Sequence, residues 1–390
     1  MLIHHEKRRG FTLVELLVVI TIIGILISLT LPAVSSVRER GRMLQCANNM
    51  REITKAMVAF ESSHQILPPN WGGYPPMGWY SPGITLTNPS TSTPDSGDQT
   101  KVRGNSWQTQ LLPGLDQMNL YTQLSLGGDL ADKDPNISKQ NLNQTVAQTV
   151  LPIFRCPSDS AANNLANQIL TIPPSPLGTT ISPYPAVTNY KACIGNNWPN
   201  DPVPMLSTGT NPTYQHAYGT AMGRNHGTMS SSTWTPPAAP TGGDNDLRDL
   251  CNGIMCRGWR ANNNYPLYTT AMSDILDGAS NTIAVGESLP LYCAFSSWYW
   301  FNGSSATVTI PLNYLLNRAN VPGGDPTQTA SNTAWQTCSG FMSRHPQGAN
   351  FGFCDGSVHF LSENIDTTTY RYLGSMQDGQ TVDMTQAYTQ

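Results

Sequence analysis

With 21 Lys and Arg against 25 Asp and Glu in 390 residues, and a formal net charge of −4, the chain has, outside its N-terminal region, no cluster of the basic side chains that phosphate neutralisation requires. Nucleic-acid binding is therefore excluded as a partner class. Charged residues make up only 12%, while Gly (33) and Pro (30) are abundant; ordinary globular chains carry about 25% charged residues, so the balance suits a loop-rich β domain better than a helical enzyme core.

The chain opens on a short leader, residues 1–10, holding Lys7, Arg8 and Arg9 and ending at Gly10. The run FTLVELLVVITIIGILISLTL follows, from Phe11 to Leu31, with Glu15 as its one charged residue. As a helix this span reaches roughly 30 Å, the thickness of a bilayer core. The basic leader keeps its own end cytoplasmic and sends the rest outward. A secretory signal has an apolar core of about 7–15 residues, shorter than this one, and only Ala33-Val34-Ser35 offers a cleavage site. A plain uncleaved anchor explains length and flanks but not Glu15, since a carboxylate in an apolar span is costly and its default reading is functional. The string RRGFTLVELLVVI resembles the type IV prepilin signal and accounts for all of these features together. That resemblance implies cleavage after Gly10 by a prepilin peptidase, N-methylation of Phe11, and pairing of Glu15 with the terminal amine of a neighbouring pilin-like subunit.

Beyond the span, residues 32–66 continue as an amphipathic helix. Apolar residues recur at Val34, Val37, Leu44, Ala47, Met50, Ile53, Met57 and Phe60 at mostly helical steps, which predicts a stripe packed on the chain's own domain. Pro32 sits where a kink is expected, and Pro68-Pro69 closes a helix of roughly 80 Å from Phe11 to Ser63.

Residues 67–390 read as the globular part. A helix is predicted within Asn105–Leu126, after Pro113, and a second over Asn141–Leu151. TNYKACIGN (Thr188–Asn196) reads as a strand, and AMSDILDGASNTIAVGES (Ala271–Ser288) as a turn followed by a strand. Residues 197–250 hold almost no regular pattern, as an insertion or functional loop would. In GANFGFCDGSVHFLS, Asp355-Gly356 predicts a two-residue type I′ hairpin. That turn would set Phe353 opposite Val358 and Phe351 opposite Phe360 on one buried face.

Taken together, RRGFTLVELLVVI, MLQCANNMREI, LLPGLDQMNLY, FRCPSDS, TNYKACIGN, SDILDGASNTIAVGES and SRHPQGANFGFCDGSVHFLS resemble, in order and over nearly the whole chain, a large planctomycete-type family of prepilin-like proteins of unknown function. Its C-terminal signature, His then nine residues then Asp-Gly, falls here on His345, Asp355 and Gly356. LPGLDQ departs from the LPYLEQ common in the family, and the stretch around 197–250 is longer. The resemblance implies an α+β, pilin-like architecture: a long N-terminal helix packed on an antiparallel sheet with long loops.

Eight cysteines without a CxxC pair argue against a zinc ribbon or a thioredoxin motif. Cys46 and Cys156 lie in two of the matching blocks, and a disulfide between them would staple the sheet domain to the helix. Cys251–Cys256 and Cys338–Cys354 are further pairings. Pilin-like secretion proteins often hold Ca²⁺ in sheet loops, so the resemblance also points to a Ca²⁺ site. Asp274, Asp277, Ser280, Asn281 and Glu287 supply hard oxygen ligands for it, although their spacing is not that of an EF-hand. The alternative is a turn at Asp277-Gly278 with Ser280 and Asn281 satisfying loop backbone. No other cofactor is expected. His345 and Asp355 invite acid–base chemistry, but Asp355 is explained by its turn and no nucleophile can be named, so no enzyme activity is expected.

Three functions compete. The first is a structural minor pilin or pseudopilin of a type IV pilus or type II secretion-like assembly, anchored in the inner membrane with its domain in the periplasm or at the cell surface. The second is an anchored binder of polysaccharide that never polymerises, using aromatics such as Trp71, Trp298 and Tyr299. The third is a cell-envelope enzyme built on His345.

Overall fold

The computed structural model describes residues 13–72, 106–124, 146–159, 185–196, 228–230, 233–235, 252–255, 257–259, 270–293, 296–299, 304–308, 310–314, 340–380, 382 and 384–387. It begins with one helix, α1 (Leu13–His64), unbroken over 52 residues and about 78 Å long. Gly10 and Phe11 lie outside the described residues. Pro32 is inside the helix without ending it. In the apolar part the hydroxyls turn back onto the helix: Thr21, Ser28 and Ser35 donate to the carbonyls of Val18, Ile25 and Leu31 at 2.8, 2.8 and 3.1 Å. This satisfies groups that a hydrocarbon environment could not.

The two halves of α1 have different surroundings. Residues 13–45 are exposed except for half-buried Glu39 and Met43. From Cys46 onward a stripe of Cys46, Met50, Ile53, Met57 and Phe60 is buried. The predicted stripe from Val34 is therefore corrected: Val34, Val37 and Leu44 are 46%, 67% and 62% exposed. Helical periodicity locates an apolar face but does not say what covers it.

Next come the short helices α2 (Trp107–Leu111) and α3 (Met118–Gln123). The helix predicted after Pro113 is α3; α2 precedes it as an additional helix, capped by Ser106, which accepts from the Gln108 N–H at 3.1 Å. Pro113 lies in the 3₁₀ turn Leu112–Leu115 that follows, where its missing N–H costs little. Residues 141–145 of the second predicted helix lie outside the described residues; 146–148 make a single helical turn before the 3₁₀ turn Pro152–Phe154. Within 197–250, Thr228–Ser230 pairs antiparallel with Thr233–Thr235.

The main sheet has five strands: β1 (Tyr190–Cys193), β2 (Ile283–Glu287), β3 (Ser305–Ala306), β4 (Gly348–Phe353) and β5 (Val358–Ser362), in the order β3-β1-β2-β4-β5. All neighbours are antiparallel except the short edge strand β3, which runs parallel to β1. Side chains alternate between faces. On one face Tyr190, Ala192 and Val285 join Met50, Ile53 and Met57 of α1 in a core that also takes Trp107 and Trp298. On the other, Ile283, Phe351, Phe353 and Leu361 pack with Tyr370 and Leu373 of α4 (Thr367–Gly374). The fold is α+β, with the sheet between α1 and α4.

The β4–β5 hairpin differs from its prediction by one residue. Gly352 faces Val358 and Phe351 faces His359, so the loop is the three residues Cys354, Asp355 and Gly356. The Gly356 N–H donates to the Phe353 carbonyl at 3.0 Å and the Phe353 N–H to the Ser357 carbonyl at 2.9 Å. Gly356 has φ +87°, as in a turn followed by a left-handed bulge residue. A one-residue slip reverses faces: Val358 packs toward α1 while Phe351 and Phe353 face α4.

At Gly352 the side chains of α1 lie directly against the sheet backbone. A Cβ there would meet Thr54 and Met50 of the helix, so a larger residue must push helix and sheet apart. Gly352→Val is expected to cost about 1–3 kcal/mol, read as a lowered urea midpoint at unchanged slope; an unchanged midpoint would contradict this packing.

Candidate functional site

Where α1 leaves the sheet, polar groups are buried together. His345 has a fully buried side chain on the loop before β4. That loop is fixed at several points. The Met342 N–H donates to the Glu287 carbonyl at 2.9 Å, the Ser343 N–H to Asn313 Oδ1 at 2.8 Å, and the His345 N–H to Ser343 Oγ at 3.1 Å. Both ring nitrogens then meet carboxylates. Nδ1 lies 2.8 Å from Glu39 Oε1 of α1, and Nε2 lies 3.3 Å from Glu287 Oε1 at the end of β2. Nε2 is also 3.5 Å from Cys156 Sγ.

Each carboxylate has further partners. Ser158 donates to Glu39 Oε1 at 2.7 Å, and Arg42 Nη1 is 3.6 Å from Glu39 Oε2. Glu287 accepts from the Asn350 backbone N–H and from Asn350 Nδ2, each at 3.0 Å. Cys46 and Cys156 are joined by a disulfide with Cα atoms 5.2 Å apart, and Tyr190 Oη donates to the Cys46 carbonyl at 3.3 Å. The joint between helix and sheet is therefore both covalent and ionic.

Burial works to lower the His345 pKa, but the hydrogen bond and charge of Glu287, with those of Glu39, outweigh it and raise it above the ordinary value. Burial works to raise Glu39, but the hydrogen bonds from Ser158 and His345 and the charges of His345 and Arg42 lower it. The Tyr190 phenol is pushed well up, by burial first and then by the Glu287 charge. An imidazolium donating one N–H to each carboxylate satisfies the whole arrangement.

The predicted site residues are placed as follows. Glu15 is exposed in the first turn of α1. Asp355 and Gly356 form the hairpin turn, with Asp355 Oδ1 accepting from the Ser357 N–H at 2.8 Å; the acids on His345 are Glu39 and Glu287 instead. The five oxygen ligands suggested for Ca²⁺ are not brought together. Asp277 accepts from the N–H groups of Asp378 and Gly379 at 2.7 and 2.8 Å. Asp274 accepts from the Ala271 N–H at 2.7 Å, Asn281 Nδ2 donates to the Asp277 carbonyl at 3.2 Å, Ser280 is exposed, and Glu287 is buried at the His345 joint. Gly278 has φ +96°, so Asp277-Gly278 makes a turn, and Asn281 satisfies its backbone. Cys354 is a free buried thiol, as is Cys193, which removes the Cys338–Cys354 pairing; burial pushes the Cys193 thiol up to about 12. Cys251, Cys256 and Cys338 lie outside the described residues. Trp298 and Tyr299 are buried and form no binding surface; Trp71 has no described side chain.

Glu39, Ser158 and Asn350 were not singled out by sequence reasoning. The signal was in the matching blocks. Cys46 comes from MLQCANNMREI, Cys156 and Ser158 from FRCPSDS, Tyr190 from TNYKACIGN, Glu287 from the Ala271–Ser288 segment, and His345 and Asn350 from SRHPQGANFGF. Blocks scattered over 300 residues thus meet at one joint. Residues 35–368, which hold every residue of that joint, match the family of proteins of unknown function designated DUF1559. The chain belongs to this family. Residues 6–31 match the prokaryotic N-terminal methylation motif, which implies processing by a prepilin peptidase and pilin-like assembly. With an apolar helix long enough to cross a membrane, this DUF1559 protein fits a membrane-anchored class. No curated protein and no solved structure matches the chain.

Non-reducing peptide mapping of this family member should recover Cys46 and Cys156 in one linked pair, with Cys193 and Cys354 alkylated only after unfolding. Free thiols at Cys46 and Cys156 would contradict the staple. Replacing both by Ser should lower unfolding free energy by about 2–5 kcal/mol.

Stability should also depend on pH with a defined sign. Because the folded pKa of His345 is raised, its contribution is full below the ordinary histidine value of about 6.5 and is lost as pH rises through the folded value. Because that of Glu39 is lowered, its contribution is present above about 4.3 and is lost as pH falls through the folded value. Urea midpoints measured against pH should decline on the alkaline side, and His345→Gln should remove that decline. A flat wild-type profile through neutral and alkaline pH would contradict it.

Proposed function

We propose that this DUF1559 protein is a structural subunit, a minor pilin or pseudopilin, rather than a catalyst or an isolated anchored binder. Its helix is built into a fibre of like helices and its domain is presented outside the membrane. The observation that carries this reading is the apolar surface that outlasts the bilayer. Phe11–Leu31 already spans roughly 30 Å, yet Val34, Val37 and Leu44 remain exposed, the last of them about 20 Å further along the helix axis. A lone anchor would leave this strip in water, where exposed apolar patches mark interaction surfaces. A fibre buries it against neighbouring helices, and Glu15 near the N-terminus gives each subunit a charge to match a neighbour's terminal amine. The 42.4 kDa chain, much of it in one domain, suits a minor component better than a bulk fibre subunit.

Mass spectrometry of the native protein should find a mature chain that starts at methylated Phe11; any other start sinks the prepilin reading. Glu15→Ala should abolish incorporation into fibres while leaving export and the folded domain intact. Incorporation at the wild-type level would instead favour an anchored protein that does not polymerise.

A further inference from the structure

The donor atoms at the helix–sheet joint form a set that the staple does not explain. One donor atom each from Cys46, Cys156, Glu287 and His345 lies within 4.8 Å of the others, and all four residues are buried. We propose that this joint has a second state: with the disulfide reduced, the Cys46 and Cys156 thiolates, His345 Nε2 and Glu287 Oε1 form a tetrahedral site for a divalent transition metal of the zinc type.

Geometry carries the proposal first. A tetrahedral centre with ligand bonds of about 2.0–2.3 Å has donor–donor edges of roughly 3.3–3.8 Å. Two edges already have such lengths, Nε2 to Glu287 Oε1 at 3.3 Å and Nε2 to Cys156 Sγ at 3.5 Å. Once the S–S bond is broken, the sulfurs need only separate to the same distance. Two thiolates, an imidazole and a carboxylate are a donor set that zinc and cobalt accept.

The surroundings carry it further. A metal-bound histidine almost always gives its other N–H to a carboxylate, which fixes tautomer and ring plane. His345 Nδ1 lies 2.8 Å from Glu39 Oε1, and Glu39 is held by Ser158 at 2.7 Å. Glu287 is held likewise by both N–H groups of Asn350. Nε2 is thus aimed at a carboxylate oxygen and a sulfur, both electron-rich. In the disulfide state a proton lies between them; in the reduced state the metal takes its place.

The steps balance. An external dithiol gives two electrons and two protons to the Cys46–Cys156 bond and closes to its own disulfide, leaving two thiols. The metal ion then displaces both thiol protons and the Nε2 proton, releasing three. Because the ligands come from α1, the segment after Phe154, β2 and the loop before β4, either state ties the helix to the same three places on the domain.

The test uses the full-length chain in detergent, reduced with a dithiol, desalted without oxygen and titrated with Co²⁺. One equivalent should bind, with a thiolate-to-cobalt charge-transfer band and the intense visible bands of a tetrahedral ion, and Zn²⁺ should bleach both. The oxidised chain should show neither, nor should the reduced Cys46→Ser/Cys156→Ser chain. His345→Gln should lose the tetrahedral spectrum, and Glu39→Gln should keep it with about 10–100-fold weaker affinity. If reduction alone unfolds the domain, Zn²⁺ must restore the native far-UV circular dichroism. Failure to do so, a pale six-coordinate spectrum, a band that survives in the double serine variant, or unchanged affinity in His345→Gln would each overturn the proposal.

Discussion

The packing of the second half of α1 against the sheet is the contact on which the other features depend. A helix of 52 residues projects its first half away from the domain, so the remaining turns must hold it alone. Apolar burial by Met50, Ile53, Met57 and Phe60 supplies attraction without direction. Gly352 permits close approach, and the joint at Glu39, Cys46, Cys156, Glu287 and His345 fixes where along its axis the helix is gripped. Without that joint the helix could slide along an apolar face whose chemistry is much the same from turn to turn.

The joint also illustrates the cost of burying charge. A carboxylate such as Glu287, 1% exposed, is tolerable only when its lone pairs are occupied. Asn350 and His345 occupy them, and Glu39 with Ser158 and Arg42 completes the balance. Such a network is high-stakes, since removing one member leaves another buried without a partner. Residues from distant parts of the chain must therefore arrive together, and the joint forms only when the tertiary fold does.

Local patterns were legible in the sequence to the extent that one element determined them. The apolar span, the helix from Leu13 to His64, strands Tyr190–Cys193 and Ile283–Glu287, and the existence of the C-terminal hairpin all follow from composition and period. The hairpin register did not, because Asp-Gly serves both a two-residue turn and a three-residue loop with a left-handed glycine, and only the pairing of Gly352 with Val358 decides between them. The helix after Pro113 was legible, whereas the five-residue α2 before it was too short to show a period of its own. The partners of His345 were illegible, since Glu39 precedes it by 306 residues and sits between Arg38 and Arg40 with no local pattern to mark it. Cys46 and Cys156 were within reach only because they fell in blocks shared with a family.

The position of the Cys46–Cys156 bond has a mechanical consequence. Tension on the exposed end of α1 runs along the helix, past the ionic contact of Glu39 with His345, and meets its covalent tie to the domain at Cys46, at the near edge of the packed stretch. There it passes through a covalent bond into the segment beside β1 before it can strip Met50, Ile53 or Met57 from the sheet one turn at a time. The chain between residues 46 and 156 is bypassed as a load path, so a pull that would unzip a purely apolar contact must instead shear the folded body as a whole.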